Sequence, residues 1–522
     1  MKITNLCIIA LLSSMTLSPA IAATQSDLPK ISQNNSRAIS QSIEPKLQQF
    51  INNQKRLKGQ GAQILVRVTP DLATQSVFID VDQSFLPSDA TLFDEDFTDQ
   101  IKEIENKASD LLAPQASFRY TRIRIGGKTL EEIFPKEFSH KKKLSDRAAA
   151  TQATSGLVVL NPGHGKYFNY STNTWVYQRP TAYAGTTDVF EDDINPLFSN
   201  ALTTLLTQRN PNAVTVKNTR DVSNTEIDPT SNLAWNTLGS RYYLKRIYPD
   251  LGATIWNKYP NGVNTKRRNL REYDEDISAR AAYANHIVAE TMISLHTNAS
   301  GSGTARGAKV YSQLDDTASV NLANNVLCYL REQISQNSTY SSKFSVNSGI
   351  GNGASYGEIR DAQMPTALIE VGFHDNTNDS TMLRDANFRQ AAMRGVEKGY
   401  RLYKAGKTDC EPLKIVSIPT TTGKFRVAIP VPVTISGNPR FPIKFETQNV
   451  KCPSGWSCTG KITTFTESPN NMVQPTYFFN VEDSKPAASF TWKSWITDAD
   501  GVVSNVIEHV VNAEPSTTTT TF

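Results

Sequence analysis

Between Leu157 and about Gly406 the apolar residues switch repeatedly between two spacings. LVVLN, AVTVKN, TMISLH and TALIEVG are short apolar or alternating runs that read as strands, with another strand around Val310. Between them the spacing is helical: Ile194, Leu197, Phe198, Ala201 and Leu205 fall on one face, as do Val320, Ala323, Leu327, Leu330 and Ile334. Further helices are expected around SARAAYANHIVA and from about Asp385 to Ala405, with Gly406 closing the last one. Strands that alternate with helices predict an α/β catalytic domain over 156–408, with a mostly parallel sheet flanked by helices.

The pattern differs on either side. Residues 23–135 hold a helix at EPKLQQFINNQKRL, strands at AQILVRV and QSVFIDVD, an amphipathic helix at DFTDQIKEIENKASDLL and a strand at FRYTRIRIGG. This predicts a small α/β module of unknown role, without a cluster at metal-ligand spacing. Residues 136–155, with Lys141, Lys142 and Lys143, read as an exposed basic linker. From 411 to 514 the helical period is lost, and runs such as FPIKFETQ, GKITTFTE, PTYFFNVE and SFTWKSWIT alternate with turn residues. They predict an all-β immunoglobulin-like sandwich, with 515–522 as a disordered tail.

Composition narrows the setting. At about 150 residues per domain, the chain of 522 residues has room for several units. Its 54 basic and 50 acidic residues leave a net charge of +4 without long single-sign blocks, so nucleic acid is not expected as a partner. The first residues carry Lys2, an apolar run too short to span a bilayer, and small residues at Ala20 and Ala22. A signal peptide over 1–22, a periplasmic or secreted product and no transmembrane segment follow as expectations. Cys7 leaves with that peptide, and the even number remaining suits an oxidising compartment. Cys452 and Cys458 flank PSGWS and are expected to pair, whereas the pairing of Cys328 and Cys410 stays open.

Three of the strands end on chemistry: His164 in Pro162-Gly163-His164-Gly165, His296 after TMISL, and Glu370 after TALI. In parallel sheets such strand ends share one edge, where sites are placed. A catalytic zinc needs three protein ligands and an open position, and two imidazoles with one carboxylate form such a set. EDDIN offers Glu191, Asp192 and Asp193 in the first turn of the helix after His164, where negative charge also serves as a cap. Glu191 is the expected ligand. Alone, His164 would suit a surface turn and His296 a hydrogen-bonded core position. Glu370 is costly to bury without a cation or a proton-transfer partner, which makes it the candidate base.

These residues resemble the zinc-dependent N-acetylmuramoyl-L-alanine amidases of the Amidase_3 family. The matching pieces run in order: Pro162 to Gly165, Glu191 to Asn195, Thr219 to Asp221, Arg280 to Asn285, Ser294 to Ala299, Arg306 to Tyr311, and Glu370 to Phe373. The resemblance implies that His164, Glu191 and His296 hold Zn2+ and that Glu370 is the catalytic base. It further implies hydrolysis of the amide between N-acetylmuramic acid and L-alanine in bacterial peptidoglycan, for wall remodelling or lysis. A zinc peptidase acting on stem peptides, or an inactive amidase-like protein for wall binding or adhesion, are the alternatives. The flanking modules fit regulatory or wall-binding roles.

Several positions depart from the family. Asn161 stands where it usually has Asp, and Lys166 where it usually has a third glycine. The stretch from His164 to Glu191 is long and aromatic, and an insertion between Asp221 and Arg280 carries Trp235, Tyr242, Tyr243, Tyr248, Trp256 and Tyr259. These rings suit either a substrate groove or a separate mini-core. The segment after His296 is too short for an inhibitory helix. His374 fits either a loop residue or a hydrogen-bonding group for the tetrahedral intermediate, while His286 reads as structural.

Overall fold

A computed structural model describes residues 29–88, 95–135, 155–210, 212–258 and 270–516. The expected signal peptide, the three linker lysines, Tyr259 and most of the tail lie outside the described residues.

One sheet organises the first two units. Its strands are β1 (Val66–Asp71), β2 (Ser76–Val81), β3 (Tyr120–Ile125), β4 (Leu157–Pro162), β5 (Thr215–Asn218), β6 (Thr291–Asn298), β7 (Lys309–Ser312), β8 (Ile350–Asn352) and β9 (Thr366–Phe373). They lie in the order β1-β2-β3-β8-β7-β9-β6-β4-β5. Pairing is antiparallel only for β1 with β2 and β7 with β9; the other neighbours are parallel. The expected α/β class and mostly parallel sheet are therefore present.

Strands β4, β6 and β9 are buried on both faces, which is why their sequences read as unbroken apolar runs. Helices α3 (Glu191–Arg209), α5 (Thr317–Ser335) and α6 (Ala386–Lys404) cover one face, packing Phe198, Val326 and Val396 over Val158, Ile293 and Ile369. On the other face α4 (Arg271–His286) packs Ala279 and Tyr283 over Val159 and Met292. In the N-terminal unit β3 alternates buried and half-buried residues. Its buried face meets α1 (Gln33–Asn53) and α2 (Glu95–Leu112) through Ile43, Leu47, Ile101 and Ile104.

The N-terminal unit does not stand apart from the unit that follows it. β3 pairs with β8 through Tyr120 opposite Ile350 and Thr121 opposite Gly351, so its strands prolong the sheet of the following unit. The junction is glycine-rich because backbones approach closely there. A Cβ at Gly349 would collide with the carbonyl of Phe118, and one at Gly351 with the ring of Tyr311.

The C-terminal unit is β-rich. A five-stranded and a three-stranded sheet enclose one core, which joins Phe445, Phe490 and Val511 of the former to Ile415, Val433 and Ile435 of the latter. Cys452 and Cys458 are bonded as expected, and Cys328 pairs with Cys410, tying α5 to the segment that enters this unit. Arg209 meets Asp500 at 2.8 Å, and Glu332 accepts the N–H of Leu413 at 2.8 Å. This unit thus docks on the α3 and α5 side of the sheet.

Glu105 on α2 yields a stability prediction. Its carboxyl accepts the N–H of Ile123 at 2.9 Å, yet burial pushes it up to about 8 from an ordinary 4.5. The folded protein keeps this proton where the unfolded chain releases it, so stability falls by about 1.4 kcal/mol per pH unit between those values and then levels off. Glu105→Gln removes this contribution. In urea unfolding, wild type should lose stability relative to the variant as pH rises from about 5 to about 8; parallel curves would exclude the effect.

Candidate metal and catalytic site

The site lies along the ends of β4, β6 and β9. His164 follows β4 in a turn with φ +68°, a left-handed conformation that a non-glycine residue adopts only when its surroundings impose it. The surroundings do so: Arg220 donates to the His164 carbonyl at 3.0 Å, Asn195 donates to the Gly163 carbonyl at 3.0 Å, and Asp192 accepts the N–H of Gly165. At Gly163 a Cβ would overlap the His296 ring, so the glycine forms the cradle for that imidazole. Glu191 begins α3, and His296 sits in register opposite Glu370 on β9.

The structure brings the expected residues together. His164 Nε2 lies 3.1 Å from His296 Nδ1 and 3.5 Å from Glu191 Oε1, which is 3.3 Å from His296 Nδ1. All three residues are buried. The other nitrogen of each ring is engaged: His164 Nδ1 lies 3.0 Å from Gln178 Oε1, and His296 Nε2 lies 3.1 Å from Glu358 Oε2. Both partners are acceptors, so each ring donates outward and turns a lone pair inward. Two lone pairs and a carboxylate oxygen facing one point repel each other unless a cation stands between them. The donor set therefore fits a divalent metal.

Gln178 and Glu358 were not anticipated from sequence. Arg280, with no exposed surface, donates to Gln178 Oε1 at 2.9 Å and Asp276 Oδ2 at 2.7 Å, and pairs with Glu358. Gln178 in turn donates to Asp276 at 2.9 Å. Asn161 donates to Glu358 Oε2 at 2.6 Å. Burial pushes the Glu358 carboxyl up, but the Arg280 guanidinium and the hydrogen bond from His296 outweigh it and hold the group well below the usual range. Glu191 is also held low, by its hydrogen bond with His296 against the opposing effect of burial.

Residues 158–400 match the model of the N-acetylmuramoyl-L-alanine amidase family, Amidase_3. A domain similar to this family therefore spans residues 158–400 of the chain. Among solved structures, the catalytic domain of CwlV, an N-acetylmuramoyl-L-alanine amidase from Bacillus (Paenibacillus) polymyxa var. colistinus, is 20% identical over 48% of this chain and 99% of its own, with a TM-score of 0.31. AmiC2 of Nostoc punctiforme is 16% identical over 49% of this chain and 99% of its own, with a TM-score of 0.31. CwlD from Clostridioides difficile, solved with the GerS lipoprotein, is 17% identical over 48% of this chain and 100% of its own, with a TM-score of 0.33. No curated protein matches the chain.

Beside the three ligand candidates of the amidase domain, burial and the charge of Glu191 raise Glu370 to about 7. Its Oε2 is buried and meets no hydrogen-bond partner among the described residues. A cavity of about 640 Å³ opens onto His164, Glu191, His296 and Glu370, and its far wall includes Lys102 and Asn106 of α2. The N-terminal unit therefore helps to enclose the site. Lys309 secures that wall through an ion pair with Asp110 at 2.8 Å, and Lys102 lies 4.3 Å from the Tyr356 ring. The inserted aromatics instead pack together, with Trp175 against Tyr242 at 4.8 Å and Tyr167 against Tyr273 at 5.3 Å.

Glu358→Leu leaves Arg280 buried with one carboxylate fewer, which should cost about 3–5 kcal/mol. Adding Arg280→Met takes the cation from the fully buried Asp276 carboxylate, so the double variant should be no more stable than Glu358→Leu alone. Denaturant midpoints of the three proteins test this. A double variant more stable than Glu358→Leu would show that Asp276 does not depend on Arg280.

Proposed function

We propose that this protein is an exported peptidoglycan amidase that hydrolyses the bond between N-acetylmuramic acid and the L-alanine of the stem peptide. The observation that carries the reading is the inward-facing set of His164, Glu191 and His296 beside Glu370, within a domain of the amidase family. These three residues would hold a zinc ion. When bound, zinc supplies Lewis-acid polarisation of the scissile carbonyl and makes an attacking water more acidic.

The protein groups do the remaining work. Gln178 and Glu358 orient the two imidazoles. Glu370 takes a proton from the attacking water as the C–O bond forms and then passes it to the L-alanine nitrogen, so that the C–N bond breaks and the amine leaves neutral. Burial of Glu370 suits this task because it brings the proton affinity of the carboxylate close to neutrality. The cavity wall contributed by α2 limits access of bulk water to the reacting groups.

Export is supported by the sequence of residues 1–22 and by two disulfides, which suit a periplasmic or secreted protein. Among the described residues, no helix is long and apolar enough to cross a membrane.

Purified protein incubated with peptidoglycan should release new L-alanine amino termini, and a chelator should abolish the release until zinc is restored. Glu370→Ala should lower the rate at least about 10²-fold while retaining zinc by elemental analysis. His296→Ala should lose the metal. New termini at another stem-peptide bond would assign a zinc peptidase, and wall binding without any cleavage would assign an inactive adhesion protein.

A further inference from the structure

Thr297 follows His296, and two of its polar groups reach the site. Its N–H donates to Glu191 Oε1 at 2.9 Å. Its hydroxyl lies 3.1 Å from the Tyr183 hydroxyl and 3.0 Å from His374 Nδ1. The order of donors along this chain can be worked out from burial. Tyr183 has no exposed surface, and among the described residues its hydroxyl meets only Thr297. A buried phenol that gives its proton to no acceptor is costly, so Tyr183 donates to Thr297 Oγ1. The Thr297 proton then points to His374 Nδ1, which accepts it, and a neutral imidazole that accepts at Nδ1 carries its proton at Nε2.

The ring is firmly held in that orientation. It stacks on Tyr183 at 5.2 Å with planes 12° apart. The His374 backbone N–H donates to Asn298, and its carbonyl accepts from Ala184, both at 2.8 Å. His374 lines the same cavity as His164, Glu191, His296 and Glu370. Its Nε2 is buried and meets no acceptor among the described residues. A fixed, buried donor without a protein partner takes its acceptor from whatever fills the cavity.

We propose that His374 is a catalytic residue whose Nε2–H donates to the oxygen of the scissile amide carbonyl as negative charge develops on it. The inference rests on the amidase reading above. The donor is placed before the reaction begins, so it favours the charged state over the ground state and should act on kcat rather than KM.

Steady-state kinetics on a purified muropeptide test this with His374→Ala and His374→Gln. His374→Ala should lower kcat by about 10²–10³-fold with little change in KM, and the glutamine amide, which can still donate, should recover part of that loss. Zinc content and thermal midpoint of both variants should stay at wild-type values. The inference is overturned if kcat stays near wild type, if the whole loss falls in KM, or if either variant loses its zinc or its fold. Wild-type protein that frees no L-alanine amino terminus overturns the amidase reading and this inference with it; normal wild-type turnover beside an unimpaired His374→Ala overturns this inference alone.

Discussion

A guanidinium without solvent must be fully neutralised, and the way Arg280 meets this demand fixes the geometry of the site. Its partners are Asp276 on the same helix, Gln178 in the segment before α3, and Glu358 beyond β8. The last two are the groups that accept from His164 and His296. One buried cation therefore sets both imidazole tautomers and, through them, the direction of both lone pairs. Removing water from such a network is expensive, and the pairing of its charges is what makes it tolerable.

Three of the four principal side chains, His164, His296 and Glu370, were legible in the sequence for a simple reason. β4, β6 and β9 are buried on both faces, so each reads as an apolar run, and the polar residue where each run stops lies at the sheet edge. Their supports were not legible. Gln178 lies in a long aromatic stretch and Glu358 in a glycine-rich one, and neither segment has a period that would reveal which way a side chain points. One clue was present in Asn161. An amide where the family usually carries a carboxylate suggests that the negative charge comes from elsewhere, and here Asn161 donates to Glu358.

The units were harder to delimit than the site. Three residues of β8, set among glycines, look like loop in sequence, yet they join the N-terminal strands to the rest of the sheet. The family match begins at residue 158 and so leaves out the helix that forms the far wall of the cavity. The module expected over 23–135 is compact, with its own core, but its α2 also borders the reacting groups. Among the inserted aromatics, Tyr167, Trp175, Tyr242 and Tyr273 form a small cluster because ring edges and faces satisfy one another there.

The strand order has one more implication. β3 and β4 are consecutive in the chain, but four other strands lie between them. Among the described residues, the grip between the two units comes from β3 on β8 and from the packing of α2. The two units therefore share one sheet whose continuity follows backbone pairing rather than chain order, so neither can turn against the other without breaking the β3–β8 ladder.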